Sequence, residues 1–294
     1  MVEAVKTLEK LSEIVFDRQS GSSQIAARLL NHLEAATLEI EAGQVGNFLE
    51  EAYAAVLRRR SLISPINLVD ALRRAYSLLL EEKGAQPDLR MMIRRLRGMY
   101  LTSLEVALKI AGGRLAGCER ILTLSKSSQV VSALKRVVGV EARVLAGWPL
   151  MDGLAAYRDL RASGVRAILF PDLSVFEAVR EVDALLIGCD AVLPDGSAVN
   201  RSGSRAAALA AQEMGVPTLV ICDSSKLDIN NLWAPEEWGL ELEGAAIRFQ
   251  VFEKVDRGLV TEYVSEHGCL SPSSFVDVAG GEILSWPRRL LQQE

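Results

Sequence analysis

The sequence predicts an α/β protein, with an N-terminal helical domain over residues 1–115 and a Rossmann-like domain with a mostly parallel sheet over residues 116–294. Three observations carry this expectation. Before residue 115 apolar residues recur every three or four positions, and no stretch alternates with the period of two that a half-buried strand shows. After it, apolar runs of four or five residues alternate with helical stretches, the pattern of right-handed crossovers in an open parallel sheet. Polar and Gly-rich segments fall just behind those runs, where such sheets bind ligands.

The helical third reads in order. Ile25, Leu29, Leu33 and Ala36 give one apolar face,. Phe48, Leu49, Tyr53, Val56 and Leu57 repeat it, as do Val69, Leu72, Tyr76 and Leu80. Ser64-Pro65 predicts a break between the last two, because proline disfavours helix in the residue before it. Gln86-Pro87-Asp88 marks the next break. A long helix is then expected from about Leu89 to Ala111, ended by Gly112-Gly113.

Arg120 to Leu124 is the first expected strand, followed by a Ser-rich turn and a helix from Val130 to Val138. Ala142 to Ala146, Ala167 to Phe170, Ala184 to Ile187 and Thr218 to Cys222 are the next four. The helices between them are expected near Asp152 to Arg161, Val175 to Arg180 and Ala206 to Ala211. Ala246 to Phe252 and Leu259 to Val264 read as further strands. The apolar segments Leu259 to Val264 and Ile283 to Trp286 suit an interface or the core equally.

Composition narrows the function. The chain of 294 residues carries a formal net charge of −5, which disfavours broad contact with nucleic acid or anionic membranes. Arg58-Arg59-Arg60 and Arg94-Arg95 are expected on solvated helix faces. The apolar runs are too short to span a bilayer, and the start of the chain lacks a signal-peptide pattern. Cys118, Cys189, Cys222 and Cys269 form no C-x-x-C pair, which argues against structural zinc and a disulfide scaffold. A cytoplasmic setting is expected, without metal or cofactor. Neither GxGxxG nor GxxxxGK[ST] occurs, so dinucleotide and ATP sites of those kinds are unsupported.

The chemistry gathers behind the strands. Ser125, Lys126, Ser127 and Ser128 follow the first, Trp148 the second, Asp172 and Ser174 the third, Asp190 the fourth, and Asp223 to Lys226 the fifth. Ser127, Ser174 and Ser224 read equally well as helix caps. Asp190 reads as functional, because Asp195 and Ser202 are better placed for local turn and cap work. Asp223 stays open between the two. Asn200 to Ser204 supplies donors before the alanine-rich helix, whose start would offer N–H groups to an anion. Arg18 to Ser23 precedes a helix in the same way. His32 is expected exposed on a helix and His267 in a turn.

The stretch Gly188, Asp190, Asp195-Gly196, Asn200, Arg201, Gly203 and Ser204 resembles the Gly-x-Asp … Asn-Gly … Asn-Lys-x-Gly-Thr signature of the alpha, beta and delta subunits of translation initiation factor 2B. The related methylthioribose-1-phosphate and ribose-1,5-bisphosphate isomerases share it. Arg201 stands for Lys and Ser204 for Thr, and the spacing continues into Gly215-Val216-Pro217 and Lys226. The resemblance implies a sugar phosphate or nucleoside monophosphate as ligand, and a homodimer or larger complex. It implies phosphate contacts from Gly21, Ser22, Ser23, Asn200, Arg201, Gly203, Ser204 and Lys226. The isomerases pair a Cys after the first sheet strand with the Asp of Gly-x-Asp. Here Asp190 is present, but Ser125 holds the Cys position. A hydroxyl is a much weaker acid than a thiol and needs a partner base. Trp148 stands where the family has a phosphate-binding Arg. These departures point to a binding or regulatory protein. The alternative is an aldose–ketose isomerase that uses Asp190 on a phosphorylated ribose-type sugar.

Overall fold

The computed structural model describes residues 2–83 and 88–292. Five helices come first: α1 (Val2–Val15), α2 (Ser22–Ala36), α3 (Val45–Leu57), α4 (Ile63–Lys83) and α5 (Leu89–Arg114). Their buried residues follow the helical period; α2 buries Ile25, Leu29, Leu33 and Ala36,. Two breaks differ from expectation. Pro65 lies in the first turn of α4, where its missing N–H would have no intrahelical acceptor,, so the chain breaks at 58–62 instead. Helix α5 runs through Gly112-Gly113, because Ala111 and Leu115 beside them are fully buried against the sheet. Gln86 and Pro87 lie outside the described residues. Asp88 caps α5, its carboxylate accepting from the Met91 amide at 3.1 Å,.

The remainder alternates. In order it contains β1 (Arg120–Leu124), α6 (Ser128–Leu134), β2 (Glu141–Leu145), α7 (Asp152–Ala162), β3 (Arg166–Phe170), α8 (Val175–Ala178) and β4 (Ala184–Ile187). Two short strands, β5 (Ala191–Val192) and β6 (Ala198–Arg201), lead into α9 (Ser204–Glu213) and β7 (Thr218–Ile221). The chain ends with β8 (Glu237–Leu242), β9 (Ala245–Gln250), β10 (Phe252–Val255), β11 (Glu262–Ser265), β12 (Gly268–Leu270) and α10 (Pro272–Leu291).

Seven strands form the main sheet in the order β12-β11-β7-β4-β1-β2-β3. Only β12 runs antiparallel to its neighbour. The chain builds outward from β1 through β2 to β3, then returns to the other side of β1 with β4 and builds the opposite way. That reversal puts a topological switch point between β1 and β4, as in doubly wound folds. Strand residues alternate between two cores. Ile121, Leu186 and Ile221 face the side covered by α5, α6 and α7. Leu122, Leu185, Ile187 and Val220 face the side of α8, α9 and the N-terminal helices.

Further details change or complete the expectation. Helix α6 stops at Leu134, and Val138 is exposed before Gly139 turns the chain into β2 with φ +79°. Asn200 and Arg201 belong to β6, a strand the sequence did not suggest, which pairs with β5 and β10, and the helix expected from Ala206 starts at Ser204. The C-terminal segment is a helix that packs on α4 and α5. Ile283, Trp286 and, in β11, Tyr263 are buried, so these tail residues serve the core, one of the two roles the sequence left open, while Leu284, between Ile283 and Trp286, stays exposed. His32 is half-buried on α2 rather than exposed.

Candidate functional site

The ends of β1 and β4 open onto a cavity of about 210 Å³ that the N-terminal helices help to line. Close approach shapes it. A Cβ on Gly188 would lie 2.5 Å from the Ser127 Oγ and 2.8 Å from its Cβ, so only glycine lets β4 end this near β1,. Ser125 follows β1 with φ +59°, a conformation few non-glycine residues adopt, and is 5% exposed,. The amide of Asp190 donates to the Val199 carbonyl at 2.8 Å, which fixes the residue against β6.

Lys226 is a buried cation of this site. It is 1% exposed and donates to the Ser22 hydroxyl at 2.9 Å. The turn that carries it is tied down on several sides. Asn67 donates to the carbonyls of Ser225 and Leu227 at 2.9 and 2.8 Å. Ser64 and Ser225 hydroxyls meet at 2.6 Å. The Glu266 carboxylate accepts from the Ser224 amide at 3.0 Å, and Asp223 accepts from the Ser225 amide at 3.1 Å. Burial pushes the Asp223 and Glu266 carboxyls up, and for Glu266 the neighbouring Asp223 adds to the rise,.

Burial also raises the Asp190 carboxyl, against the pull of Lys226 and Arg201. A carboxyl shifted toward neutrality inside a polar cavity suits proton transfer. Cys189 is a different case. Its thiol donates to the Ala191 carbonyl at 2.9 Å, and burial pushes it up to about 12, so it is no ready acid or nucleophile,. Arg201 is held by Asp152, Nε to Oδ2 at 3.2 Å, and its Nη1 is buried without a partner among the described residues.

The start of α2 completes the wall. Gly21 is its N-cap and has no side chain to accept from the first amides,. The preceding turn is organised by Asp17, which accepts from the Gln19 amide at 2.7 Å and the Ser20 hydroxyl at 2.8 Å. Against its partial burial, these bonds and Arg28 hold the Asp17 carboxyl at about 2.

A model of the initiation factor 2 subunit family matches residues 18–272. The chain belongs to that family. It is 26% identical over 241 residues to a ribose 1,5-bisphosphate isomerase of Archaeoglobus fulgidus, covering 73% of each chain. It is 27% identical over 249 residues to a methylthioribose-1-phosphate isomerase of Symbiobacterium thermophilum, covering 76% of this chain and 66% of that one. Its fold matches the Pyrococcus horikoshii translation initiation factor eIF-2B with TM-score 0.81 at 20% identity, over 92% of this chain and 98% of that one.

Of the residues singled out from the family signature and its surroundings, Gly21, Ser22, Ser23, Ser125, Asp190, Asn200, Arg201 and Lys226 all line the cavity. Gly203 and Ser204 do not. The amides of Gly203 and Arg205 donate to the Glu253 carboxylate at 2.7 and 2.8 Å, so the start of α9 already holds an anion of its own,. The Ser204 hydroxyl accepts from Asn200 at 2.9 Å and orients that side chain. Ser127 both lines the cavity and caps α6. Lys126 sits at the rim, paired with Asp159 at 3.1 Å. Trp148 is 58% exposed and faces away, in a loop that Asp172 clamps through the Gly147 and Trp148 amides. His267 lies in a turn, 3.0 Å from the Ser224 Oγ. Glu266 approaches the same ring nitrogen, and Ser224 is fully buried, so no triad forms,.

Other residues lining the cavity carry no signal in the sequence motif. Arg59, expected on a solvated face, is 5% exposed and pairs with Glu236 at 3.1 Å. Asp152 and Gln129 also line the cavity, and the Gln129 Nε2 is another buried donor without a partner among the described residues. Among those residues no group of His, Cys, Asp or Glu is placed to hold a metal ion, and no helix is long and apolar enough to cross a membrane.

Proposed function

We propose that this chain binds a phosphorylated pentose in the cavity at the switch point, with a regulatory or ligand-binding role rather than the family's thiol-dependent turnover. One observation carries the ligand class: Lys226, Arg201 and the start of α2, whose N-cap Gly21 has no side chain to accept from the first amides, converge on the same polar cavity as Asp190. These donors suit a phosphoryl group, and Asp190 suits a sugar hydroxyl. The binding role follows from Ser125, which stands where the isomerases carry their thiol, while the Cys189 thiol is occupied by a backbone carbonyl.

The second reading is an isomerase acting on a similar sugar through Asp190, favoured by the rise in that carboxyl and by relatives named for ribose 1,5-bisphosphate isomerisation. A product assay with ribose 1,5-bisphosphate separates the two. The binding reading expects a saturable complex and no ketose product. Product that disappears in Asp190→Asn establishes the isomerase instead.

A homodimer forms part of the proposal. Trp148, Met151, Leu173 and Phe176 are large apolar residues left exposed near the β3 edge, and a patch of this kind suits a two-fold contact with a second copy. Sedimentation of the wild type and of Leu173→Asp tests it. A dimer that dissociates in the variant is expected; a wild-type monomer contradicts it.

A further inference from the structure

Trp238 is contributed by β8, the first strand of a hairpin whose residues are otherwise mostly exposed. It is itself 7% exposed, and two guanidinium groups share its ring. The Arg18 guanidinium lies 4.9 Å from the ring centroid and that of Arg201 5.6 Å. Both arginines line the cavity. The Phe252 ring adds a second contact to Arg201 at 5.1 Å.

The indole is itself fixed. Its Nε1 donates to Glu236 at 2.6 Å. The other Glu236 oxygen accepts from the Arg59 Nε at 3.1 Å and from the Ser61 hydroxyl. Arg59 in turn donates to the carbonyls of Val15 and Asp17 at 2.7 and 2.8 Å, just ahead of Arg18. One network therefore holds both the ring and the segment that carries Arg18. A guanidinium drawn to a ring face keeps its N–H edge free for an acceptor in its own plane. For Arg201 that edge is half used: Nε faces Asp152, and Nη1 has no partner among the described residues. A buried donor left unpaired costs free energy, which a ligand oxygen would remove.

We infer that Trp238 is a positioning residue: its ring holds Arg18 and Arg201 as a preformed receptor for one phosphoryl group of the ligand. Two guanidinium charges match a phosphoryl dianion better than a carboxylate. The inference rests on the sugar-phosphate reading of the cavity and adds to it a residue from the hairpin, outside the family signature.

The test has two arms on the full-length protein. Modification by phenylglyoxal, mapped by peptide mass spectrometry, reads the arginines without any ligand. Trp238→Leu should speed modification of Arg18 and Arg201 several-fold, and Trp238→Phe, which keeps a ring face, should restore protection. Calorimetry with ribose 5-phosphate, ribose 1,5-bisphosphate and unphosphorylated ribose reads the receptor. Trp238→Leu should weaken binding of the phosphorylated probes by roughly five- to thirtyfold, with Trp238→Phe close to wild type. Arg18→Gln, at an exposed side chain, should weaken them similarly and serves if Trp238→Leu does not fold. Unchanged modification rates in folded Trp238→Leu, or unchanged affinity in Arg18→Gln, overturn the inference. If the wild type binds neither phosphorylated probe, the sugar-phosphate reading falls and takes the receptor with it. If the wild type binds and Trp238→Leu binds equally, only the role of Trp238 falls.

Discussion

The ammonium of Lys226 donates to the hydroxyl of Ser22 across 2.9 Å, joining the turn behind β7 to the first residue of α2. This bond links the sheet to the N-terminal helices at the floor of the cavity. A fully buried ammonium needs acceptors, and among the described residues Ser22 is the one its side chain reaches directly,. Ser22→Ala should therefore destabilise the fold by about 1–3 kcal/mol, the cost of leaving a buried polar group short of a partner. Urea denaturation measures it; a change within 0.5 kcal/mol, about the size of an ordinary surface substitution, would show that Lys226 finds its compensation elsewhere.

Asp190 gives a pH signature. Its carboxyl is raised in the folded chain by burial. A raised acid contributes stability below its unfolded value, and that contribution is lost as pH rises through the folded value. Asp190→Asn lacks this loss. The variant should melt above the wild type at pH 8, and the gap should close as pH falls toward about 4. A gap that is constant with pH would falsify the assignment.

Gly188 marks how tightly the two strand ends meet. Gly188→Ala would press a methyl onto Ser127 at 2.5 Å from its Oγ. The expected cost is about 1–3 kcal/mol, together with weaker ligand binding because Ser127 must move. Thermal melts with and without ribose 1,5-bisphosphate separate these effects.

Ser125 gives a test by substitution. Under the binding reading, the missing thiol at Ser125, rather than the missing arginine at Trp148, is what halts turnover. Ser125→Cys should then convert ribose 1,5-bisphosphate where the wild type does not, with phosphorus NMR as the readout. Failure of the variant to turn over while still binding would place the missing function elsewhere in the cavity.

Much of the sheet was legible because buried parallel strands read as continuous apolar runs. Arg120 to Leu124 and Ala184 to Ile187 begin and end as expected. The strand ends then located Ser125, Asp190 and Lys226. What was not legible depends on distant partners. Arg59 looks like one of three surface arginines until Glu236, 177 positions away, is folded against it. Trp238 has no local pattern at all. Residues Ala198–Arg201 looked like a helix approach because a four-residue antiparallel strand is too short to show its period. Helix α10 is not legible because Pro287 and Gly280-Gly281 interrupt the pattern, although Phe275, Ala279, Ile283 and Leu290 share its buried face.

If the cavity holds a phosphorylated sugar through Arg201 and its neighbours, calorimetric titration of ribose 1,5-bisphosphate into the wild type and Arg201→Ala will distinguish the two proteins. One site per chain is expected in the wild type, weakened roughly ten- to hundredfold in the variant, the scale of a lost charge-assisted hydrogen bond. No binding to the wild type, or equal binding to both proteins, would contradict it.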